Sequence, residues 1–250
     1  MKVGFWALVS TALVALLVGI GIIDQNRPPS WEKIMHGDKI SAEYPADYRR
    51  AIEKSRLSAV RVRSTSLSFW GSTATMTGTY FIASNKHYVI TVHHGIIGPC
   101  WLVVVDHRST SSQCKEYVVK DEVLDYVIME LDEPLPNRTP IKIPQDLPAG
   151  TKNWENSYSL LTNIIYTGYP NTLGPLTLKG DVAGYAPEYL YVFSHAYGGA
   201  SGSGIFTKDG HYIGYLVAVD LGSTELGIDV LENIVIVAPS FNVDWSAVTN

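Results

Sequence analysis

From Ser58 onward the chain alternates short apolar runs with polar turns. Ala59-Val60-Arg61-Val62-Arg63 has the two-residue period of a strand with one face buried. Comparable runs lie at Gly78–Ser84, Tyr88–Val92, Trp101–Asp106, Glu116–Val119 and Tyr126–Leu131. A proline-rich stretch, Pro134 to Pro148, interrupts the series. Strand-like runs resume at Leu160–Thr167, Leu176–Val182, Tyr189–Phe193, Ile205–Thr207, Ile213–Val219 and Ile234–Val237. The pattern predicts an all-β domain with two sets of about six strands, joined by a linker near residues 134–155. Tyr48 to Arg56 is expected as a short helix. Asp24 to Tyr48 is polar and proline-bearing and reads as a linker. No internal repeat or low-complexity tract occurs.

Met1 to Ile23 departs from this pattern. Lys2 precedes twenty residues without a charge, Gly4 to Ile23. As a helix they would span roughly 30 Å, the thickness of a bilayer core. The segment has no polar face, which argues against a core helix. It reads as an uncleaved membrane anchor, with a cleaved signal peptide as the alternative. Gly19-Ile20-Gly21 is a poor cleavage site. Either reading puts the remainder outside the cytoplasm.

Composition supports a packed protein: 46% of residues are hydrophobic and 17% charged, enough apolar material for a sizeable core. The formal net charge is -5, and no basic block would track a phosphate backbone, so nucleic acid is not an expected partner. The two cysteines, Cys100 and Cys114, flank the turn-prone segment Asp106–Ser112. A hairpin there would bring the sulfurs together, and export would let them pair; the alternative is two buried thiols. No C-x-x-C pattern suggests a metal site.

Three segments carry candidate chemistry. Thr91-Val92-His93-His94 ends an apolar strand. Asp125-Tyr126-Val127-Ile128 begins one. Gly198-Gly199-Ala200-Ser201-Gly202-Ser203-Gly204 precedes Ile205-Phe206. Acyl transfer by serine needs a hydroxyl, a base for its proton, an acid that holds the base in one tautomer, and N–H donors for the oxyanion. Each segment alone has an ordinary explanation: a structural histidine, a strand-capping aspartate, a flexible glycine loop.

Together, and in the order His, Asp, Ser, they resemble the signature elements of the trypsin-like (chymotrypsin-fold) serine proteases. In Thr91-Val-His-His94 the histidine three after the threonine is His94, not His93. Ser201-Gly-Ser-Gly-Ile-Phe matches the serine element, and Ser203 fits that register poorly. His94 and Asp125 lie 31 positions apart and Ser201 a further 76, compact intervals similar to those of the HtrA-type bacterial branch. Gly78-Thr-Tyr-Phe, Thr167-Gly-Tyr-Pro170 and Ile213-Gly-Tyr-Leu-Val-Ala-Val are similar to that branch too. The resemblance covers roughly residues 56–240. Departures are Gly204 for the usual proline, Ala200 before the serine, and Tyr80 in a position more often glycine. There is no Ile-Val-Gly-Gly activation sequence, and no PDZ-like segment follows within these 250 residues.

The resemblance implies two packed antiparallel six-stranded β-barrels, approximately 56–135 and 155–240, within a protease domain 56–245. This follows a signal anchor or signal peptide at 1–23, expected as an N-terminal hydrophobic helix, and a linker with a short helix at 24–55. It implies a serine endopeptidase with His94 as base, Asp125 as its orienting acid, Ser201 as nucleophile, and the amides of Gly199 and Ser201 as oxyanion hole. His195, Val217, Ala218 and Val219 would frame the primary specificity pocket. Val219 falls where proteases for large side chains usually have glycine, so small or medium apolar residues are the expected targets. No cofactor or metal is implied. The partners would be protein or peptide substrates and, through residues 4–23, a membrane. Oligomeric state is left open. The main alternative is a catalytically silent homologue that binds proteins in the same cleft; a third is an unrelated membrane-tethered β-domain.

Overall fold

The computed structural model describes residues 46–224 and 227–249, and their side chains except at 46, 172 and 219–232. The expected anchor or signal at 1–23 lies outside the described residues, as does most of the 24–55 linker. A helix, α1 (Arg49–Ser58), precedes the first strands. It buries Ala51, Ile52 and Ser55 on one face, and Ser55 Oγ donates to Thr167 Oγ1 at 2.7 Å.

Six strands form the first barrel: β1 (Ala59–Thr65), β2 (Thr73–Ala83), β3 (Lys86–Val92), β4 (Val103–His107), β5 (Thr110–Asp121) and β6 (Tyr126–Leu131). Their order is β1-β4-β5-β6-β3-β2, closed by antiparallel pairing of β2 with β1. A two-residue strand, β7 (Ile141–Lys142), adds in parallel to β2. The alternation of β1 is the sheet's pleat: Val60 and Val62 face the core and Arg63 faces water. β6 is buried along its whole length, so its alternation is lost. Its one charged residue, Glu130, is held by Lys115 Nζ at 2.5 Å and Lys86 Nζ at 2.9 Å. Both lysines draw its carboxyl below the usual range. Cys100 and Cys114 are joined in a disulfide with Cα atoms 5.2 Å apart, tying the loop before β4 to β5.

Helix α2 (Thr151–Ser157) leads to the second barrel: β8 (Asn163–Gly168), β9 (Leu176–Tyr185), β10 (Leu190–Phe193), β11 (Gly204–Thr207), β12 (Tyr212–Thr224) and β13 (Gly227–Pro239). The strand order is β10-β13-β12-β11-β8-β9, again closed, and every pairing is antiparallel. Its core includes Ile164, Tyr166, Val192, Ile205, Ile213, Leu216 and Val235. A short helix, α3 (Ser246–Thr249), comes after it, and Trp245 packs edge-on against Phe81 of the first barrel and Tyr212 of the second. Among the described residues, closure of the two barrels leaves no long unpaired edge. Among the described residues no helix is long and apolar enough to cross a membrane.

Candidate active site

Strand register brings the histidine and the aspartate together. β3 and β6 run antiparallel with Val92 opposite Tyr126. The ladder continues one step beyond, where His93 N–H donates to Asp125 O at 3.2 Å. His94, two residues past the paired end of β3, therefore meets Asp125, one residue before β6. His94 Nδ1 and Asp125 Oδ2 are 2.7 Å apart, and the backbone N–H of His94 donates to Asp125 Oδ1 at 2.8 Å. Both carboxylate oxygens are thus engaged by one residue. This hydrogen bond raises the pKa of His94 above its ordinary value, aided by the carboxylate's charge and opposed by partial burial. His93 instead lies 3.8 Å from Glu122.

Asp125 has φ +54°, a left-handed backbone that aspartate tolerates better than most residues. The preceding turn is built to hold it. Asp121 Oδ1 accepts from the N–H groups of Val123 and Leu124, both at 2.9 Å. From the second barrel, Tyr215 Oη donates to Leu124 O at 2.6 Å.

The serine segment is a tight turn between β10 and β11. Gly199 (φ +92°) and Gly202 (φ +88°) take backbone conformations that side chains resist. A Cβ on Gly202 would lie 2.1 Å from Thr77 O. This close approach is where the two barrels are sewn together. Thr77 N–H donates to Ser201 O at 3.0 Å, and Thr77 Oγ1 donates to Gly199 O and accepts from Tyr169 N–H, each at 2.8 Å. Thr91 Oγ1, three residues before His94, donates to Thr77 O at 2.6 Å. On the other side Gly202 N–H donates to Leu216 O at 2.7 Å and Leu216 N–H to Ser203 O at 2.9 Å. Ser201 is half-buried, and among the described residues no hydrogen bond joins its Oγ to His94. The N–H groups of Gly199 and Ser201 likewise donate to no group among the described residues, so both stay available to a ligand. Ser203 is fully buried and its Oγ donates to Ala200 O at 2.5 Å, which occupies it structurally.

The expected pocket residues lie on β12 and just before the serine turn. Val217 is buried and Ala218 half-buried on β12. Val219 pairs through its backbone with Val235, and its side chain is not among those described. The His195 side chain is exposed, while its carbonyl accepts from the Tyr166 hydroxyl. Among the described residues no group of three His, Cys, Asp or Glu side chains is placed to hold a metal.

Thr77 and Tyr215 were not legible as site residues from sequence. Both act on the backbone of distant segments. The only local signals were their positions, Thr77 just before Gly78-Thr-Tyr-Phe and Tyr215 inside the Ile213-Gly-Tyr-Leu run.

No protein-family model matches this sequence, and no curated protein matches it. Solved structures do. The serine endoprotease from Yersinia pestis superposes with a TM-score of 0.58 at 20% identity, covering 80% of this chain and 64% of its own. A protease from M. tuberculosis in its active form gives 0.60 at 15% identity, covering 83% and 88%. The HtrA-type protease AlgW, solved with a tripeptide, gives 0.57 at 15% identity, covering 79% and 60%. The chain thus spans somewhat under two thirds of the length of the first and third. At these identities the likeness establishes the fold: the trypsin-like double barrel, as built in HtrA-type serine proteases.

Proposed function

We propose that the chain is a serine endopeptidase working through an acyl-enzyme, with His94, Asp125 and Ser201 as its triad. The observation that carries this reading is the His94–Asp125 pair at 2.7 Å, built on the same barrel as Thr77, whose N–H and hydroxyl hold the glycine-framed serine turn. Ser201 Oγ attacks the scissile carbonyl while His94 Nε2 takes its proton. Asp125 holds the proton on Nδ1, so that Nε2 is free to accept, and it stabilises the imidazolium that forms. The unpartnered N–H groups of Gly199 and Ser201 receive the oxyanion. His94 then protonates the leaving amine, and water repeats the sequence on the ester. The hydrogen bond between Ser201 and His94 is made as substrate binds, a tightening common in enzymes whose free form leaves it open.

Specificity is set by β12 and the segment before the serine. Val219 stands where proteases for large side chains usually have glycine, so with Val217 and Ala218 it would restrict the pocket to small or medium apolar side chains. His195 supplies no carboxylate for a Lys or Arg side chain, which would be buried unpaired at a cost of several kcal/mol. Peptides cleaved after Ala or Val should be hydrolysed faster than those with Arg or Phe. Residues 4–23 hold the domain on the far side of a membrane, or release it there if cleaved. Protease added to spheroplasts should then digest the chain beyond residue 24. Substrates are proteins or peptides that reach that compartment.

The experiment that tests the chemistry is peptide hydrolysis by Ser201→Ala. Its kcat should fall on the order of 10⁶-fold. Unchanged hydrolysis would reject Ser201 as nucleophile. A wild-type protein that hydrolyses no peptide would favour the silent, protein-binding alternative.

A further inference from the structure

We infer that Tyr215 is a positioning residue for the catalytic aspartate, acting across the barrel interface through the carbonyl of Leu124. This inference rests on the triad proposed above. Tyr215 sits on β12 of the second barrel and is 1% exposed. Its hydroxyl reaches out of that barrel to donate to Leu124 O at 2.6 Å, the carbonyl of the peptide unit whose nitrogen belongs to Asp125. That peptide leads directly into the left-handed backbone of Asp125. Holding that plane restrains one side of the N–Cα bond whose rotation is the φ of Asp125, and so the position from which the carboxylate reaches both His94 groups.

The neighbouring residue does the corresponding work for the nucleophile. Leu216 brackets the serine turn, accepting from Gly202 N–H and donating to Ser203 O. Two consecutive residues of one strand therefore address the two halves of the site, which come from different barrels. A shift of β12 along its axis would move the aspartate turn and the serine turn together. Among the described residues no other hydrogen bond as short ties the second barrel to this turn: Tyr189 Oη reaches Val123 O only at 3.5 Å.

The surroundings keep the Tyr215 hydroxyl a donor. Its ring lies 6.1 Å from that of Tyr126, whose own hydroxyl accepts from Asp244 N–H. Burial pushes the Tyr215 phenol far above its ordinary pKa, and the nearby Tyr212 and the Asp125 carboxylate push in the same direction, with Tyr126 and Tyr189. The charged group facing His94 is Asp125, while His93 beside it faces Glu122.

Tyr215→Phe removes the hydroxyl and keeps the ring. One net hydrogen bond corresponds to roughly a twofold to tenfold effect. The expected result is a loss of that size in kcat, with KM for a short peptide unchanged. The acidic limb of the pH profile should also move to lower pH, because a loosened Asp125 raises the pKa of His94 less. Tyr158→Phe is the control for a merely structural role. That buried tyrosine donates to Ile213 O on the same strand and, among the described residues, makes no hydrogen bond to either turn. It should lower thermal stability and leave kcat and the limb in place. Equal limb positions in wild type and Tyr215→Phe, in protein that is folded and active, would overturn the inference. A Tyr158→Phe variant that shifted the limb as far would also overturn it. Failure of the triad itself would show differently, as a wild-type enzyme insensitive to Ser201→Ala.

Discussion

Asp125→Asn replaces one carboxylate oxygen with an amide nitrogen at a side chain on which two donors converge. His94 N–H donates to Oδ1 at 2.8 Å, and His94 Nδ1 to Oδ2 at 2.7 Å. Asparagine has one acceptor for the two. If it satisfies the backbone N–H, its NH₂ faces the imidazole, and Nδ1 must become the acceptor. The ring proton then moves to Nε2, the atom that has to take the proton of Ser201. If it satisfies the ring instead, the His94 amide loses its partner and the left-handed turn loosens. The first arrangement keeps the fold and spoils the tautomer, so a loss of about 10⁴ in kcat is expected. At 1.36 kcal/mol per tenfold, that is about 5.4 kcal/mol of transition-state stabilisation. A pH series adds a second readout. His94 in the wild type titrates above its ordinary value of 6.5 because of Asp125, so activity should fade as pH drops through that raised value. In the variant the residual activity should persist to lower pH. The stability difference runs with the same sign. The attraction between protonated His94 and Asp125 is fully present below the ordinary histidine value and disappears as pH rises through the raised one, so the wild type's advantage in Tm should be larger on the acid side. The assay is steady-state hydrolysis of a fluorogenic peptide ending in Ala or Val, alongside near-UV circular dichroism to confirm the fold. A folded Asp125→Asn variant within tenfold of wild type, or one whose acidic limb moves up, would refute the reasoning.

Other outcomes rest on single contacts. Gly202→Ala should abolish activity and lower stability, since its Cβ would lie 2.1 Å from Thr77 O at a φ of +88°; normal turnover and Tm would contradict the packing described. Thr77→Val removes two hydrogen bonds, the one Thr77 Oγ1 accepts from Tyr169 N–H and the one it donates to Gly199 O, and should cost about 1–3 kcal/mol in chemical denaturation together with a fall in kcat. Replacing Cys100 and Cys114 by serine opens a loop of 14-residue separation and should cost about 3 kcal/mol in the chain-entropy picture, read as a lower denaturation midpoint under oxidising conditions only. Val219→Gly should shift cleavage toward larger side chains in a peptide library, whereas a wild type that cleaves mainly after Arg, Lys or Glu would contradict the proposed pocket.

Much of the fold was written in local pattern. The alternation in Ala59–Arg63 and the apolar runs at Tyr88–Val92 and Tyr126–Leu131 mark strands, because burial on one or both faces demands it. The helix expected at Tyr48–Arg56 is found at Arg49–Ser58. The amino-terminal half of β2, Thr73–Thr77, was not: small and hydroxylated side chains give no hydrophobic period, and the segment is a strand because β1 pairs with it. Helix α2, with the polar sequence Thr-Lys-Asn-Trp-Glu-Asn-Ser, and the two-residue β7 also lack a periodic signal. The extension of β12 and β13 to 224 and 227 is a hairpin whose inner pairing decides its length. Within the candidate site, sequence motifs picked out His94 and Asp125, which the structure pairs, and Ser201 on the glycine-framed turn. Thr77 and Tyr215 make hydrogen bonds to backbone more than 90 positions away, beside the proposed triad residues, and no local spacing encodes those.

The central claim is that Ser201 is an activated nucleophile. A fluorophosphonate probe reacts with such a serine and leaves a mass tag that peptide mapping can locate. Labelling the wild-type chain should place the tag on Ser201. It should be absent from Ser201→Ala and His94→Ala and retained in Ser203→Ala, whose buried hydroxyl is already committed to Ala200 O. A tag on Ser203, or no tag in folded wild-type protein, would contradict the account.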